Sequence, residues 1–367
     1  MGWVSVRVLW FNWRDICNPG AGGAEVYTHE VARRLVGMGH EVTLFAAMFP
    51  GGEREEVVDG VRVVRDGGRY TVYLRAREHY GRRFRGEGYD VVVDEINTVP
   101  FFSPGFVDGG ERVVALIHQL AREFWFYEVP FPLSHVGYRL EDRWLRGYVD
   151  VPTVTVSEST RADLLALGFR DVVVVHNGVN VEPLGEVPVK ADHPVVVWVG
   201  RMKRAKRPGD VVEAFRVVRR RVPDAELWMV GDGYLRRRLE SEAGSGVRFF
   251  GYVDGETRDD LVRRAWVIAV PGVREGWGQV VTDANALGTP AVGYDVSGLR
   301  DSIRDGFNGV LVENGPEALA DGMMRVLSDD GLREDLSRNA IEWARRFSWD
   351  KTAEEFMKVL ERTTNER

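Results

Sequence analysis

Residues 4–38 contain an apolar run, a glycine-rich turn and an amphipathic stretch, in that order. The run 4–11 reads VSVRVLWF, the turn 18–25 reads NPGAGGAE, and residues 25–38 read EVYTHEVARRLVGM. In the third stretch the apolar side chains recur at the spacing of one helix face, and glycines close it. A buried strand that leads through a glycine-rich turn into a helix is the first unit of a doubly wound α/β domain.

Apolar runs and helical stretches alternate along the rest of the chain, and the alternation starts a second time near its middle. Residues 177–194 contain prolines and glycines but no hydrophobic periodicity, which indicates an interdomain linker. Strands separated by helices favour parallel sheets. The sequence therefore predicts an α/β chain of two Rossmann-like, doubly wound parallel-sheet domains that face each other across a deep cleft, with ligands at the carboxyl ends of the strands. The predicted strands are 4–11, 41–47, 89–94, 112–117, 151–156 and 172–175, then 194–199, 226–230, 248–250, 266–270, 291–294 and 309–312.

The composition excludes several classes of protein. Of 367 residues, 44% are hydrophobic and 29% are charged, and the formal net charge is -7. This balance is ordinary for a globular chain and argues against a nucleic-acid-binding protein, which usually carries a basic domain. The single cysteine, Cys17, permits no intrachain disulfide and fits a reducing compartment. Because no long apolar run occurs and Arg7 interrupts the first one, we predict a cytoplasmic chain whose residues 1–12 contain a strand rather than a signal peptide.

Three loops between a predicted strand and a helix carry residues suited to an anion. The turn 18–25 lets backbone N–H groups approach phosphate oxygens, but it is neither G-x-G-x-x-G nor a P-loop, and a tight turn explains its glycines equally well. Gly200-Arg201 follows the first strand of the second half, with Lys203 and Lys206 next. These cations suit a diphosphate, although a solvated basic loop would have the same composition. Only five of the 49 basic residues are lysines, which makes two within four positions notable.

The third loop reads Arg274-Glu275-Gly276-Trp277-Gly278-Gln279, and Asp283 follows one turn into the next helix. Its glycines free backbone N–H groups at a helix start for phosphate oxygens. Ionised carboxylates accept hydrogen bonds, so Glu275 and Asp283 suit the hydroxyls of a sugar or a ribose. Asp283 by itself is also explained as a favourable acidic residue in a first helical turn.

His118 follows the strand 112–117, where it can bind a substrate or titrate near neutrality. A lone histidine more often has a structural role, and both interpretations stay open from the residues alone. The other histidines show no metal-ligand spacing, so we predict no metal site. They are His29, His40, His79, His135, His176 and His193.

Taken together, these motifs resemble the retaining glycosyltransferase family 4, whose members have the GT-B fold. Any one motif is weak, but the ordered set is specific and spans nearly the whole chain. The resemblance implies an N-terminal acceptor domain of residues 1–182, to which a last helix of residues 343–367 returns, and a C-terminal donor domain of residues 183–342. The motifs are Gly22-Gly23-Ala24-Glu25, His118, residues 156–160, Asn177-Gly178-Val179, Gly200-Arg201 with Lys206, Gly231-Asp232-Gly233, and Glu275-Gly276-Trp277-Gly278 through Gly288-Thr289-Pro290.

The resemblance also implies roles for these residues. Arg201 and Lys206 would neutralise the leaving diphosphate, Glu275 would hold hydroxyls of the donor sugar, and His118 would lie beside the reacting centre; these four are the predicted catalytic residues. The predicted nucleotide-sugar ligands are Gly22, Gly23, Gly231, Gly233, Val253, Gly276, Trp277, Gly278, Gln279, Val280 and Asp283.

Two positions depart from the family pattern. The family pairs two glutamates as E-x7-E, and here Asp283 replaces the second one. Its side chain is one methylene shorter and therefore reaches less far toward a ribose. Near Gly298, where the family often has a second glycine and a glutamate, this chain has Ser297 and Asp301.

The implied activity is transfer of a hexosyl unit from a UDP- or GDP-sugar to a glycan, glycolipid or polyprenyl-linked acceptor, with retention and without a metal cofactor. Cations and a helix dipole can meet the charge that develops on the diphosphate. One alternative is a nucleotide-sugar epimerase or hydrolase, which the order of the motifs disfavours. A second is an NAD-dependent dehydrogenase, which the missing G-x-G-x-x-G disfavours. A third is a non-catalytic nucleotide-sugar binder, which Arg201, Lys206 and Glu275 disfavour.

Residues 123–148 carry an unusual density of aromatic side chains. The stretch 123–132 reads EFWFYEVPFP and is interpreted as neither a regular helix nor a regular strand. Tryptophan and tyrosine are enriched at interfaces and also pack well on sugars. We therefore predict an acceptor-binding or membrane-facing loop that would place the protein at the cytoplasmic membrane face; ordinary packing under a long loop is the alternative.

Overall fold

The computed structural model describes residues 5–365, and the chain in it divides into two compact units. The first unit comprises residues up to Arg122, Val136–Gly178 and Ser348 onward; the second comprises Glu123–His135 and Val179–Phe347. The strand expected from Val4 begins at Arg7, and residues 1–4 and 366–367 lie outside the described part of the chain.

The described residues form fourteen strands and thirteen α-helices. The strands are β1 Arg7–Phe11, β2 Glu41–Ala46, β3 Glu55–Val58, β4 Val61–Arg65, β5 Val91–Glu95, β6 Arg112–Ile117, β7 Thr153–Thr155, β8 Val172–Val174, β9 Val195–Val199, β10 Glu226–Val230, β11 Val247–Gly251, β12 Val267–Val270, β13 Ala291–Tyr294 and β14 Gly309–Val312. The helices are α1 Gly23–Gly37, α2 Val72–Arg82, α3 Phe124–Glu128, α4 Leu133–Leu145, α5 Glu158–Ala166, α6 Pro208–Arg221, α7 Arg236–Glu242, α8 Gly255–Arg264, α9 Gln279–Ala286, α10 Leu299–Ser302, α11 Pro316–Leu327, α12 Asp330–Ala344 and α13 Trp349–Asn365.

The first unit is built on an eight-stranded sheet of order β3-β4-β2-β1-β5-β6-β7-β8. All pairs are parallel except β3 with β4. The inner strands β1 and β5 are almost wholly buried, as expected when helices cover both faces of a parallel sheet. The chain winds away from β1 in both directions, so the switch point of this sheet lies between β1 and β5.

The hairpin of β3 and β4 is missing from the strands that the sequence predicts. Its signal is present, because Asp59-Gly60 separates EEVV from VRVVR. Both turn residues have positive φ, 48° and 82°, which is the backbone that Asp-Gly turns favour. The two runs have only four and five residues, too few to show a clear strand periodicity, so they were not predicted as strands.

The C-terminal helix α13 belongs to the first unit. Phe356 stacks on Trp10 of β1 with ring centroids 5.0 Å apart, and the rings of Trp349 and Tyr27 form a T-shaped contact with centroids 5.9 Å apart. A Cβ atom added to Gly178 would lie 2.2 Å from the backbone N of Trp349, so only glycine fits at this crossing. The sequence predicts one helix over residues 343–367, but the structure has a break there. Trp343 belongs to the end of α12, and α13 begins only at Trp349.

The second unit has a six-stranded sheet of order β11-β10-β9-β12-β13-β14, and every pair is parallel. This is the order 3-2-1-4-5-6 of dinucleotide-binding domains. The loops after β9 and β12 therefore leave neighbouring strand ends at the switch point. The predicted linker contains no regular element between Val174 and Val195.

Residues 123–135 correct the sequence interpretation. The stretch expected to be irregular contains the helix α3, and its residues pack with the second unit rather than with the first. Short helices of aromatic residues have weak intrinsic propensity, so packing decides this segment. No helix within residues 5–365 combines the length and the apolar character that a bilayer crossing requires.

Lys190 in the linker predicts an unusual pH dependence of stability. Its Nζ donates to the carbonyl of Arg263 and the hydroxyl of Thr289, both at 2.9 Å. Burial, helped by the charge of Arg333, lowers the pKa of Lys190 to about 7 from 10.5. Between these values the unfolded chain binds a proton that the native chain lacks, so this group makes the free energy of unfolding rise with pH.

The variant Lys190→Met should lose that dependence. We expect the wild-type protein to gain stability relative to the variant as the pH rises from about 7 to about 10, measured by urea unfolding across the range. The contributions of the other titrating groups to the free energy of unfolding cancel when the two proteins are compared at the same pH. Parallel curves for the two proteins would contradict the buried, neutral state of Lys190.

Candidate functional site

The switch point of the second unit joins a lysine and a glutamate from two strand-end loops. Lys206 follows β9 and Glu275 follows β12, and the lysine Nζ donates to both carboxylate oxygens at 2.6 and 2.7 Å. The backbone N–H of Val273 donates to the carbonyl of Ala205 at 3.0 Å, which ties the two loops together. The glutamate side chain is 12% exposed and the lysine side chain 35%, so the pair is reachable from solvent.

A third loop supports Glu275 from behind. The N–H of Glu275 donates to the carbonyl of Ser297 at 3.1 Å. Gly298 has φ +81°, and a Cβ there would lie 2.0 Å from the carbonyl oxygen of Glu275. Glycine at 298 is therefore required both by its backbone conformation and by this contact.

Helix α9 begins beside Glu275, at Gln279. Gly278 precedes it in the left-handed region, with φ 84°, and this turn directs the chain into the helix. The backbone N–H groups at a helix start point along the axis, so they and the helix dipole favour an anion at this end. The ring of Trp277 is buried against Phe347, with centroids 5.0 Å apart, so its side chain packs the loop from inside.

The glycines after β10 have a structural reason of their own. A Cβ at Gly231 would lie 2.0 Å from the carbonyl oxygen of Gly200, and one at Gly233 would lie 2.6 Å from that of Met202. The two loops therefore touch through their backbones, which also places the exposed Arg201 next to this contact along the chain. Val253 is partly buried, directly before the residue that caps α8.

The carboxylate of Asp283 is used mainly for hydrogen bonds within the chain. Its carboxylate accepts the N–H and the side-chain amide of Asn180 at 2.9 and 2.8 Å, and the amide of Gln279 at 3.0 Å. Burial raises the pKa of Asp283 against these hydrogen bonds. A carboxylate has about four acceptor positions, so about one remains for a ribose hydroxyl. The shorter side chain thus anchors the linker where the family's glutamate is expected to contact a ribose.

In the first unit the imidazole of His118 is hydrogen-bonded to a buried glutamate, Glu95, which the sequence analysis did not identify. Its Nε2 lies 3.0 Å from Oε1 of Glu95, which is 1% exposed. The other oxygen of Glu95 accepts the indole N–H of Trp10 at 2.8 Å and the hydroxyl of Thr28. The ring of Tyr27 forms a T-shaped contact with the imidazole, with centroids 5.1 Å apart. With Nε2 held by the carboxylate, Nδ1 is the nitrogen left for a substrate.

The glycine-rich turn before α1 is also organised by a glutamate. Glu25 is buried, and its carboxylate accepts the N–H of Gly22 at 2.6 Å, the indole N–H of Trp13 at 3.1 Å and Nε of Arg14 at 2.9 Å. Gly23 has no atom within 4 Å of the place where its Cβ would be, so the backbone is open to a close approach there.

Among residues 5–365 there is no group of three or more His, Cys, Asp or Glu side chains arranged to hold a metal ion. Within the second unit the structure brings Lys206, Glu275 and the start of α9 together. Within the first unit it places His118 on Glu95 and the glycine-rich turn on Glu25.

Two family models match consecutive parts of the chain. The model described as Glycosyltransferase Family 4 matches residues 21–183, and the one described as Glycosyl transferases group 1 matches residues 184–343. The chain belongs to glycosyltransferase family 4. The two models meet between residues 183 and 184, inside the segment 177–194.

Curated relatives of this family 4 chain share about a third of its residues in the aligned parts. A phosphatidyl-myo-inositol mannosyltransferase of Mycobacterium leprae is 35% identical over 219 residues, which is 57% of this chain and 58% of the relative. A D-inositol 3-phosphate glycosyltransferase of Salinispora tropica is 36% identical over 180 residues, which is 45% of this chain and 37% of the relative. The alignments thus cover between about a third and three fifths of these relatives' own length.

Solved structures share the fold over nearly the full chain. A sucrose-phosphate synthase from Thermosynechococcus elongatus has a TM-score of 0.80 at 21% identity and covers 97% of this chain and 98% of its own. Anabaena HepE, solved in complex with UDP and glucose, has a TM-score of 0.72 at 16% identity and covers 97% and 100%. The fold is the GT-B type of two parallel-sheet α/β domains, as the sequence predicts.

Proposed function

We propose that this family 4 chain is a retaining glycosyltransferase that moves a hexosyl unit from a UDP- or GDP-sugar to a hydroxyl of a glycan or lipid-linked acceptor. The observation that carries the proposal is the pairing of Lys206 with Glu275 beside the start of α9. A cation, a carboxylate and the backbone N–H groups of a helix start, all at one edge of the sheet, match the diphosphate and the hydroxyls of a nucleotide sugar.

Departure of the nucleoside diphosphate is the demanding step. The bond between the anomeric carbon and the diphosphate oxygen breaks, and negative charge develops on that oxygen. Lys206, Arg201 and the N–H groups at the start of α9 stabilise this charge. The acceptor oxygen forms its bond to the same face of the anomeric carbon, and its proton passes to the departing phosphate oxygen.

Glu275 and His118 have positioning roles in this proposal. The carboxylate of Glu275 accepts hydrogen bonds from donor-sugar hydroxyls, and the donor diphosphate replaces the carboxylate as the partner of Lys206. Because Glu95 holds Nε2 of His118, the other ring nitrogen is available to a sugar hydroxyl. Gly231, Gly233 and Val253 are assigned to the base, and the remaining acceptor position of Asp283 to the ribose.

A thermal-shift screen without added metal tests this proposal. The probes are UDP, GDP, ADP, NAD and the common UDP- and GDP-hexoses. A ligand at about 100 times its Kd adds roughly 2.7 kcal/mol to stability, so a true donor raises the melting temperature measurably. We expect one nucleoside diphosphate and its sugar conjugate to do so, followed by sugar transfer or slow donor hydrolysis. Stabilisation by NAD alone would reject the proposal.

We also propose that the helix α4 contacts an anionic membrane surface. Leu133 and Val136 in its first turns are exposed by 61% and 49%, and Phe131, two residues before the helix, by 79%. The acidic residues of α4 are engaged: the carboxylate of Glu141 accepts the N–H of Ala121, and Asp142 pairs with Arg122. Three exposed arginines follow, and none of them has an acidic partner among residues 5–365; they are Arg139, Arg143 and Arg146.

Apolar side chains beside unpaired arginines suit the interface of an anionic bilayer. We expect the protein to float with vesicles of phosphatidylcholine and phosphatidylglycerol at low salt, and less at high salt. Each basic residue near such a surface contributes about 1 kcal/mol, so Arg139→Glu/Arg143→Glu should weaken binding by roughly 30-fold or more. The matched control is Arg237→Glu/Arg238→Glu, on the exposed side of α7. Equal flotation of both double variants would reject α4 as the contact.

A further inference from the structure

The short helix α3 lies against the turn that carries Lys206. At its last residue, Oε1 of Glu128 accepts the backbone N–H of Ala205 at 2.8 Å. Oε2 of the same carboxylate accepts the hydroxyl of Tyr234 at 3.1 Å. Glu128 therefore holds the residue directly before Lys206, across 77 positions of sequence.

The tyrosine extends this support by one residue. The oxygen of Tyr234 accepts the N–H of Arg204 at 2.8 Å while its hydroxyl donates to Glu128. Two consecutive backbone N–H groups of the turn 204–206 thus donate to Tyr234 and Glu128, and these two side chains are hydrogen-bonded to each other. From the other side, Val273 donates to the carbonyl of Ala205. The backbone just before Lys206 is fixed in three directions.

The rest of α3 contacts both loops of the candidate site. The ring of Phe124 lies 4.8 Å from Nζ of Lys203, whose pKa is lowered by burial and by the charge of Lys206. Glu123 accepts Nε of Arg274 at 3.0 Å, and that arginine, with a side chain only 13% exposed, directly precedes Glu275. One five-residue helix and the residue before it thus touch the chain next to both members of the Lys206–Glu275 pair.

We propose that Glu128 is a positioning residue for Lys206, and that α3 aligns the lysine with the leaving diphosphate. The inference rests on the proposed function, because it assigns Lys206 to the diphosphate. The ammonium must lie within hydrogen-bond distance of a developing charge, and a displacement of about 1 Å costs up to 100-fold in rate. A side chain as flexible as lysine is aimed mainly by its backbone, so the N–H groups that fix the turn decide where Nζ can reach.

A general structural role makes a different prediction from a positioning role. If Glu128 only adds stability, its removal lowers the melting temperature and leaves the kcat of the folded enzyme unchanged. If it positions Lys206, its removal lowers kcat through Lys206, and the loss disappears in a protein that already lacks the lysine. Double-variant kinetics separate the two cases.

The experiment compares Glu128→Ala, Glu128→Gln and Lys206→Ala with the double variant Glu128→Ala/Lys206→Ala, in the full chain with its stabilising donor. Glutamine keeps an oxygen for the N–H of Ala205, so we expect it to retain activity within about threefold of the wild type. Alanine leaves that N–H without its acceptor, and we expect kcat to fall by about tenfold or more. The double variant should be no slower than Lys206→Ala alone.

Asp329→Ala is the matched control. Asp329 also accepts a backbone N–H, that of Leu332 at 2.9 Å, at the start of α12 in the same unit. Its removal should lower stability as other cap removals do and leave kcat unchanged. Hydrogen exchange of the amides of residues 203–206 gives a readout that does not depend on activity, and Glu128→Ala should accelerate it while Asp329→Ala should not.

These results distinguish the inference from the proposed function. A wild-type protein without transfer or donor hydrolysis rejects the proposed function, and exchange at residues 203–206 then still tests whether Glu128 holds the turn. Unchanged exchange in Glu128→Ala overturns the inference. So does a kcat loss that adds in full to that of Lys206→Ala, or a Glu128→Gln variant as slow as Glu128→Ala.

Discussion

Lys206→Ala should slow sugar transfer by roughly 100- to 1000-fold, the range found when one preorganised donor to a developing oxyanion is removed. Lys206 lies in the loop after β9, and its ammonium donates to the carboxylate of Glu275 at 2.6 Å at the switch point of the second sheet. In the proposed reaction it faces the diphosphate both before and after bond cleavage. The variant should therefore also bind the free nucleoside diphosphate more weakly, measured by calorimetry.

Glu275→Gln should lower the rate of transfer without lowering the affinity for the free nucleoside diphosphate. Its carboxylate is assigned to sugar hydroxyls and not to phosphate, so transfer should slow strongly while affinity for the free nucleoside diphosphate stays near or above the wild-type value. Removing the negative charge also frees Lys206 from its partner, which favours the anion. The control is Arg238→Ala, which breaks the exposed ion pair with Glu242 on α7.

If Lys206→Ala keeps kcat within about threefold of the wild-type value, the assignment of Lys206 as the cation that stabilises the leaving group is wrong.

Gly298→Ala should cost roughly 3 to 5 kcal/mol of stability, combining a strained backbone with overpacking. The residue has φ +81°, and its Cβ would lie 2.0 Å from the carbonyl oxygen of Glu275, so either the loop 297–298 or Glu275 must move. Urea unfolding followed by tryptophan fluorescence measures the loss of stability. Transfer rates at temperatures where the variant stays folded should fall as well, because the carboxylate of Glu275 is displaced.

Gly255→Ala is the control for this prediction. Gly255 is the first residue of α8, and no atom lies within 4 Å of the place where its Cβ would be. An added methyl group there should leave stability and activity nearly unchanged. Wild-type stability in Gly298→Ala would show that the loop relaxes at little cost, and would remove the support that Gly298 is inferred to give Glu275.

Most of the parallel architecture could be predicted because strands buried on both faces are continuous apolar runs. The strands at 195–199, 226–230 and 291–294 match their predicted ranges to within a residue. The antiparallel hairpin at 55–65 and the helix α3 were missed, because short polar strands and aromatic helices lack a strong periodic signal.

The candidate site divides in the same way. The loops that carry Lys206 and Glu275 could be named in advance, since parallel strands present their carboxyl ends at one edge of a sheet. The residues that hold the predicted site residues or their neighbours in place could not be named, because the two partners of each contact are distant along the chain. Glu128 is 77 residues from Ala205, Glu95 is 23 from His118, and Asn180 is 103 from Asp283.

Local pattern thus determined most of the order of strands and helices, the two-part organisation and the family, since hydrophobic periodicity and glycine motifs act over neighbouring residues. Tertiary packing alone decided that a segment between β6 and β7 joins the second unit, that Asp283 anchors the linker and that Gly298 must lack a side chain. Those outcomes depend on hydrogen-bond and van der Waals distances that must be met to within a few tenths of an ångström between elements far apart in sequence. Such contacts exist only once the sheets have assembled.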